Sequence, residues 1–568
     1  MSNLDWLVLG GSLLFIIVYG VWKSRGSRNV SDFLLGNNQA AWWTIGLSVM
    51  ATQASAITFL STPGQAFSDG LGFIQFYFGL PLAVIVICVS FIPIFYKLKV
   101  FTAYEYLSHR FDMRTRVFTA VLFLLQRGLA AGITIYAPAI ILSTILGWEL
   151  KWLVVIIGVL VIVYTVSGGT RAVQQTQKLQ MAVMMGGMLL ALGYILYKLP
   201  INLPQSLAVA GKMGKLNGLN FNFDLQDRYN FWSGITGGFF LALSYFGTDQ
   251  SQVARYLGGR SVSESRMGLI FNALLKLPMQ FVILFTGVMV FVFYQFEAPP
   301  VFFNPVVQQQ VMESTQAEEF KYAQDNYLVM FKEKKQHLGN YLEALRRDDA
   351  KGQEIYAFAM HAANQRMDTL KKDAKQIIAQ ALPQAELNDK DYVFISFILK
   401  YFPHGLIGLL LAVFLCAAMS STASELNALA ATSLLDVFGR FFPETTNTLW
   451  LSRLFTVFWG VLAIAFALAA SLFDNLIQLV NILGSLFYGT ILGVFLVAFY
   501  LPRIGAKEVL IAAILSEMLT LCLFFLPKFF PELLPNIGYL WYNVIACAIV
   551  VAVAYLLRVT NKFSQEEL

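Results

Sequence analysis

Residues that carry most enzyme chemistry are scarce in this chain. Its 568 residues include only four cysteines and four histidines. The cysteines, Cys88, Cys416, Cys522 and Cys547, lie in apolar stretches without metal-binding or disulfide spacing. Because the histidines are scattered as well, the sequence offers no Ser-His-Asp arrangement and no His/Cys cluster. These absences argue against an enzyme and predict no cofactor.

Charge is scarce too. Asp, Glu, Lys and Arg make up 13% of the chain and hydrophobic residues 57%, whereas soluble proteins average about 25% charged residues. Apolar runs of roughly 20 residues can cross a bilayer. Such runs lie near 4–22, 41–62, 71–97, 115–147, 151–168, 176–198, 231–256, 267–297, 393–437, 446–473, 476–500, 506–526 and 538–558. We therefore predict an all-α polytopic membrane protein with about thirteen transmembrane helices.

Basic residues concentrate in every second loop, for example at 23–28, 97–116 and 255–266. Because basic loops resist translocation, this pattern predicts an extracytoplasmic N-terminus and a cytoplasmic C-terminus in the plasma membrane, the inner membrane in a bacterium. The net charge of +6 is thus a topology signal and does not indicate nucleic-acid binding. The first span lacks a basic leader and a cleavage site, which predicts a retained helix.

A polar segment, 298–392, interrupts this pattern. It separates helices 1–8 in 1–297 from helices 9–13 in 393–558, and 559–568 is predicted to be a cytoplasmic tail. Within the segment, apolar residues recur twice at helical spacing, which predicts an extracytoplasmic helical hairpin. It would shield a vestibule, bind a partner, or be a passive insertion, and the passive insertion is preferred.

Hydroxyl groups crowd the apolar stretch 415–435. Ser420, Ser421, Thr422 and Ser424 offer more oxygen than helix packing requires. Hard cations such as sodium prefer several oxygen ligands held by a rigid element. The alternative is that small residues here let two helices pack closely.

A second span carries a polar interruption, formed by Thr52, Gln53, Ser55 and Thr58 and followed by Pro63 and Gly64. The pattern predicts a helix that unwinds and exposes backbone carbonyls as sodium ligands. The carbonyls of Ala51 and Ala54 would then face Ser420 and Ser421. A proline-kinked helix with internally bonded hydroxyls is the alternative.

Ionisable residues inside spans are functional candidates by default. Lys276 is one of them, although its side chain would also be long enough to reach the membrane surface. Arg127 and Glu425 are candidates for an internal ion pair, whose partners cannot be matched from sequence. Tyr245 and Phe246 offer aromatic faces to a solute, or simply pack.

Five segments in order, 31–51, 101–111, 164–173, 247–257 and 417–429, resemble those of the sodium/solute symporter family. The resemblance covers nearly the whole chain except 298–392. It implies a LeuT-type fold of two inverted five-helix repeats, here about 41–198 and 231–500, which rock around one central site.

The resemblance also implies site residues. The main sodium site would consist of the backbone oxygens of Ala51, Ala54 and Ala417 and the hydroxyls of Ser420 and Ser421. The solute pocket would involve Gln53, Thr58, Gln75, Tyr245, Phe246, Lys276, Gln478 and Asn481.

Two departures from the family pattern concern a second sodium. Many members have an acid where this chain has Gln177, and Ala423 replaces a serine of that second site. We expect one sodium per cycle. Other segments look closer to the iodide, monocarboxylate and vitamin branch, which favours an anionic solute with Lys276 as its charge partner.

The expected function is sodium-coupled symport that imports a small polar organic solute, a sugar or a monocarboxylate-like anion, by alternating access. Its expected partners are sodium, the solute and the lipid bilayer. The alternatives are proton coupling through Asp249 or Glu425, and a solute sensor that signals through the hairpin without transport.

Overall fold

The computed structural model describes residues 2–24, 40–440, 448–469, 476–530 and 536–566. Apart from one isolated bridge between Ala40 and Gly259, the regular structure of these residues is helical. The predicted loop residues Arg25 and Arg28 lie outside the described residues.

Twenty-one α-helices are assigned in the described residues. They are α1 Asn3–Ser24, α2 Trp42–Gln53, α3 Ala56–Asp69, α4 Leu80–Val86, α5 Ile92–Leu98, α6 Glu105–Arg110, α7 Met113–Leu146, α8 Leu150–Lys198, α9 Leu203–Lys212, α10 Gly238–Gly247, α11 Gln250–Leu257, α12 Val262–Phe293, α13 Pro305–Met312, α14 Ala317–Arg346, α15 Ala350–Ala381, α16 Val393–Tyr401, α17 Leu406–Thr432, α18 Thr448–Ala469, α19 Leu476–Tyr500, α20 Ala506–Phe529 and α21 Leu540–Glu566.

Nine helical segments in the described part of the chain are long and apolar enough to cross a membrane, and Asn3–Ile16 and Leu150–Val166 are shorter apolar helices. The count of thirteen spans therefore stays a prediction. The stretch 393–437, too long for one span, does contain a separate short helix, α16. At the other end, α21 continues to Glu566 through most of the predicted tail, because no proline or glycine follows Arg558 to stop it.

The predicted helix break lies between α2 and α3. Ala54 leaves the helical conformation with ψ 71°, and Ser55 is extended with ψ 170°. Pro63, by contrast, lies inside α3. The chain thus unwinds at the polar interruption, eight residues before the proline.

Helix α8 combines two predicted spans, 151–168 and 176–198, in one assigned helix of 49 residues. A straight helix would separate Tyr164 and Thr176 by about 18 Å, yet their hydroxyl oxygens lie 3.0 Å apart. The chain therefore does not run as one straight helix between these two residues.

The hairpin is formed by α14 and α15, which run antiparallel. Lys334 and Glu333 of α14 lie opposite Asn364 and Arg366 of α15. The hairpin is seated on the helical bundle: the Tyr341 hydroxyl donates to the Ala208 carbonyl at 3.5 Å, and one core is shared by both parts. We call this side of the bundle the hairpin end.

Candidate functional site

The break between α2 and α3 leaves a carbonyl without its helical partner. In a continuous helix the Ala51 carbonyl would accept from the amide of Ser55. Here the Ser55 amide donates to the Gln53 carbonyl at 3.0 Å instead. The Ala51 oxygen is thus available to other ligands at the centre of the bundle.

The hydroxyls of α17 meet this carbonyl. Ser420 Oγ and Ser421 Oγ each donate to Ala51 O at 3.4 Å. Both bonds are long, so they are weak and leave lone pairs of all three oxygens accessible. Ala54 and Ala417, the other residues predicted to supply backbone oxygens, are fully buried. The geometry brings the predicted elements together, and the sodium ligands themselves remain a prediction.

Gln177 of α8 closes one side of this cluster. Its Nε2 donates to Ser420 Oγ at 2.9 Å, Ser424 Oγ at 3.0 Å and Thr52 Oγ1 at 3.2 Å. Its Oε1 accepts from Ser48 at 2.5 Å. A neutral amide therefore bridges α2 and α17 in this cluster. We refer to Ser48, Thr52, Gln177, Ser420, Ser421 and Ser424 as the hydroxyl cluster.

A second buried cluster lies one helical turn further along α17. Glu425 Oε1 accepts from Arg127 Nη1 at 3.2 Å, and its Oε2 accepts from Thr134 Oγ1 at 2.6 Å. Arg127 Nη2 bonds both Asp249 and the Tyr488 hydroxyl. These residues, Arg127, Thr134, Asp249, Glu425 and Tyr488, form the ionic cluster.

Asp249 completes this network. Its Oδ2 accepts from the Tyr488 hydroxyl at 2.6 Å, and its Oδ1 accepts from Ser251 N at 2.8 Å and Ser251 Oγ at 2.6 Å. Both carboxylates thus share one guanidinium, with neutral donors on their remaining oxygens. The sequence suggested Arg127 and Glu425 as pair members, but neither Thr134 nor Tyr488.

The two clusters border a central cavity. Four predicted solute residues line it, namely Gln53, Thr58, Tyr245 and Asn481, together with Tyr77, Gln126, Arg127, Glu425 and Tyr488. Arg127 lies over the Tyr245 ring at 5.4 Å from its centroid. The cavity therefore offers amides, hydroxyls, aromatic faces, one guanidinium and one carboxylate to a ligand.

The other predicted solute residues lie outside the cavity lining. Gln75 bonds two points of the loop between α9 and α10, donating to the Tyr229 carbonyl at 2.7 Å and accepting from the Asn220 amide at 2.9 Å. Gln478 accepts from Arg228 Nη1 at 2.7 Å. Phe246 is buried against the Tyr245 ring. None of these contacts tests solute binding, which stays a prediction.

The Lys276 side chain does not reach the protein surface. It is fully buried in α12, and its ammonium lies 5.6 Å from the centroid of Tyr77, a lining residue of the cavity. Its Nζ has no hydrogen-bond partner among the described residues, and neither do the amides of Asn272 and Gln280, one turn away on either side. A buried polar stripe thus runs along one face of α12.

The chemistry of these donors suits an alkali cation and not a transition metal. No group of three or more His, Cys, Asp or Glu side chains in the described residues is placed to hold a metal ion. Neutral hydroxyl and carbonyl oxygens, which the hydroxyl cluster supplies, are ligands for hard monovalent ions. In the sequence, Gln177 stands out only as a departure from the family pattern. Its hydrogen bonds become apparent only in the structure, where α8 packs against α17.

Comparison with known proteins gives a family match. The sodium:solute symporter family model matches residues 33–324 and 370–516. The human sodium/iodide cotransporter is 32% identical over 295 residues, covering 51% of this chain and 45% of that protein. Mouse sodium-coupled monocarboxylate transporter 1 is 28% identical over 519 residues, covering 89% of this chain and 71% of that protein. The chain thus aligns with somewhat less than half of the human relative.

A solved structure confirms the fold. A Na+-coupled sialic acid symporter, in a substrate-bound outward-open state, matches with a TM-score of 0.74 at 22% identity, covering 98% of both chains. This likeness confirms the predicted LeuT-type architecture. Since the family model matches most of the sequence on both sides of the hairpin, the chain belongs to the sodium:solute symporter family, a family of transporters.

Proposed function

We propose that this protein is a sodium-coupled symporter that imports a small polar organic solute by alternating access. The observation that carries the proposal is the Ala51 carbonyl, which lacks its helical partner and lies 3.4 Å from both Ser420 Oγ and Ser421 Oγ. Relatives named for sodium coupling support it. A sugar or a monocarboxylate-like anion fits the neutral and cationic groups near the cavity.

Sodium binds, in this proposal, to the backbone oxygens of Ala51, Ala54 and Ala417 and to the two serine hydroxyls. Gln177 supports one sodium per cycle, because its amide donates to Ser420 and Ser424, where an acid would attract a second cation. One sodium entering down an inside-negative potential of about 100 mV supplies roughly 2.3 kcal/mol from the potential alone.

The solute occupies the central cavity between Gln53, Thr58, Tyr245 and Asn481. Lys276 lies behind Tyr77 and is, in this proposal, the charge partner of an anionic solute. The basic loops support a plasma-membrane protein with an extracytoplasmic N-terminus and a hairpin on the same side.

The ionic cluster disfavours proton coupling. Asp249 and Glu425, the carboxylates suited to carry a proton, both bond Arg127. Protonation of either carboxylate would weaken its charge-assisted bond to the guanidinium. Transport driven by a pH gradient in sodium-free proteoliposomes would reverse this preference.

The test is Ser421→Ala in proteoliposomes, with uptake of labelled lactate and glucose measured against sodium concentration. We expect the apparent sodium affinity to fall about tenfold, equivalent to about 1.4 kcal/mol. Thr422→Val is the matched control, since this neighbouring buried hydroxyl has no partner among the described residues. Unchanged sodium dependence in Ser421→Ala, with normal protein yield, would refute the site.

A further inference from the structure

A second cavity, of about 370 Å3, lies at the hairpin end between the hairpin and the bundle. Its lining is rich in basic side chains. These are Lys215, Lys334, Lys371, Lys375, Lys390 and His361, against the two acidic residues Asp368 and Asp389. Basic side chains thus outnumber acidic ones by three to one in this lining.

Two of the lysines are paired. Lys375 Nζ lies 2.8 Å from Asp389, and Lys390 Nζ lies 3.3 Å from Asp69. No ion pair within the described residues joins Lys215, Lys334 or Lys371 to a carboxylate. Three ammonium groups therefore face one cavity without a carboxylate in direct contact.

Lys334 is the most enclosed of the three. Its residue is 3% exposed, and its Nζ donates to Asn364 Oδ1 at 3.1 Å. An ammonium carries three donors, so two remain for a ligand. Burial, together with the charges of Lys371 and Lys215, lowers the pKa of Lys334 to about 7. Burial likewise lowers the pKa of Lys215 to about 8. An anion among these groups would relieve their repulsion.

Aromatic rings cover the rest of the wall. The rings are those of Phe67, Phe291, Tyr294, Phe303 and Tyr327. The Lys215 ammonium itself lies 4.6 Å from the centroid of Phe291. Apolar walls with few polar groups are typical of sites for organic molecules. The chemistry thus suits an anion with an apolar body better than a bare inorganic ion.

The two walls have different origins. The family model leaves residues 325–369 unmatched, and this segment supplies Lys334, His361 and Asn364. Lys215 belongs to the bundle, next to Lys212, whose carbonyl is hydrogen-bonded to His361 Nε2 at 2.8 Å. The cavity exists only because the hairpin is seated on the family scaffold.

We propose that this cavity is a binding site for a small organic anion, one that carries a carboxylate or phosphate group on an apolar body. Lys334 and Lys371 of the hairpin and Lys215 of the bundle hold the anionic group, and the aromatic rings pack against the body. The site is separate from the sodium site and from the central cavity, and gives the hairpin a role beyond passive insertion.

The experiment uses the full-length protein in lipid nanodiscs, with phthalate as the probe in isothermal titration calorimetry. Lys334→Met and Lys215→Met, from opposite walls, should each weaken phthalate binding about tenfold, as expected for loss of one charge-assisted hydrogen bond. Lys335→Met is the matched control, because it removes the same charge from the exposed neighbour. Its affinity should equal that of the unmodified protein.

Three results would overturn the proposal. They are absence of phthalate binding to the unmodified protein, equal affinity in all three lysine variants, and sulfate binding as tightly as phthalate, which would mark a simple inorganic-anion site. Ser421→Ala should retain phthalate binding. Loss of binding in that variant would assign the ligand to the transport site instead, while leaving the sodium proposal intact.

Discussion

The hydroxyl cluster and the ionic cluster both include residues of α17, yet their buried polar groups are hydrogen-bonded to different degrees. In the ionic cluster, both carboxylates are bonded to Arg127, and their neutral donors lie as close as 2.6 Å. In the hydroxyl cluster, the bonds of Gln177 are 2.5–3.2 Å long, but the two bonds to the Ala51 carbonyl are 3.4 Å long. Ser421 and Glu425, four residues apart on α17, mark the boundary between these two arrangements.

This difference separates a structural role from a binding role. A buried charge is costly unless its partners are close. The ionic cluster supplies such partners to both carboxylates, and only the Nε of Arg127 lacks a partner among the described residues of this cluster. Neutral oxygens at long distances cost less to leave partly unpaired. They can therefore exchange weak mutual bonds for a dehydrated cation. The comparison predicts that the ionic cluster is the larger contributor to stability, and that sodium acts on the hydroxyl cluster.

The largest expected effect comes from removing the shared guanidinium. Arg127→Met leaves Asp249 and Glu425 buried without their cation, which should cost about 3–5 kcal/mol of unfolding free energy. The measurement is the midpoint of thermal unfolding in detergent. Arg503→Met, at an exposed position, is the control and should unfold like the unmodified protein.

A rescue variant sharpens this test. Adding Asp249→Asn and Glu425→Gln to Arg127→Met removes the uncompensated charges and should recover part of the loss. If Arg127→Met unfolds at the same temperature as the control, the ionic cluster does not hold the bundle together.

A smaller effect is expected at the edge of the ionic cluster. Thr134→Val keeps the shape of the side chain but removes the donor to Glu425 Oε2. Hydrogen bonds to charged groups contribute about 1.5–3 kcal/mol, while Arg127 still holds the other oxygen. The same thermal measurement should show a loss between those of Arg127→Met and the control. A loss as large as that of Arg127→Met would mean that Thr134, and not the guanidinium, sustains the carboxylate.

The sequence predicted the hydroxyl cluster better than the ionic one, for a physical reason. Consecutive serines and a polar interruption are local signals in the sequence. The family resemblance also predicts that Ala51 lies close to Ser420 and Ser421. The helix break was predicted from the polar residues together with Pro63 and Gly64. In the structure it lies at the polar residues and not at Pro63 or Gly64. The sequence did not show which backbone carbonyl would lose its helical partner, because that depends on the acceptor that the Ser55 amide finds.

The ionic cluster could not be predicted from the sequence, because its partners are brought together only by the three-dimensional packing. Arg127 meets residues 122 and 298 positions away, and nothing local to Arg127 names either partner. The cavity at the hairpin end shows the same limit, because nothing in the sequence around Lys215 and Lys334 indicates that the two residues line one cavity. Their shared cavity exists only once the hairpin is seated on the bundle.

The smallest effect is expected in the hydroxyl cluster, from Thr52→Val, the counterpart of Thr134→Val. Both hydroxyl oxygens also lie within hydrogen-bond distance of the carbonyl four residues earlier, so the local geometry of the two side chains is matched. Thr52 otherwise contacts only neutral groups, and Gln177 keeps Ser420 and Ser424 as acceptors. The cost should therefore be about 0.5–1.5 kcal/mol, below that of Thr134→Val in paired thermal unfolding measurements. Equal losses would show that charge does not distinguish the two clusters, since the side chains and their positions relative to the preceding helical turn are matched.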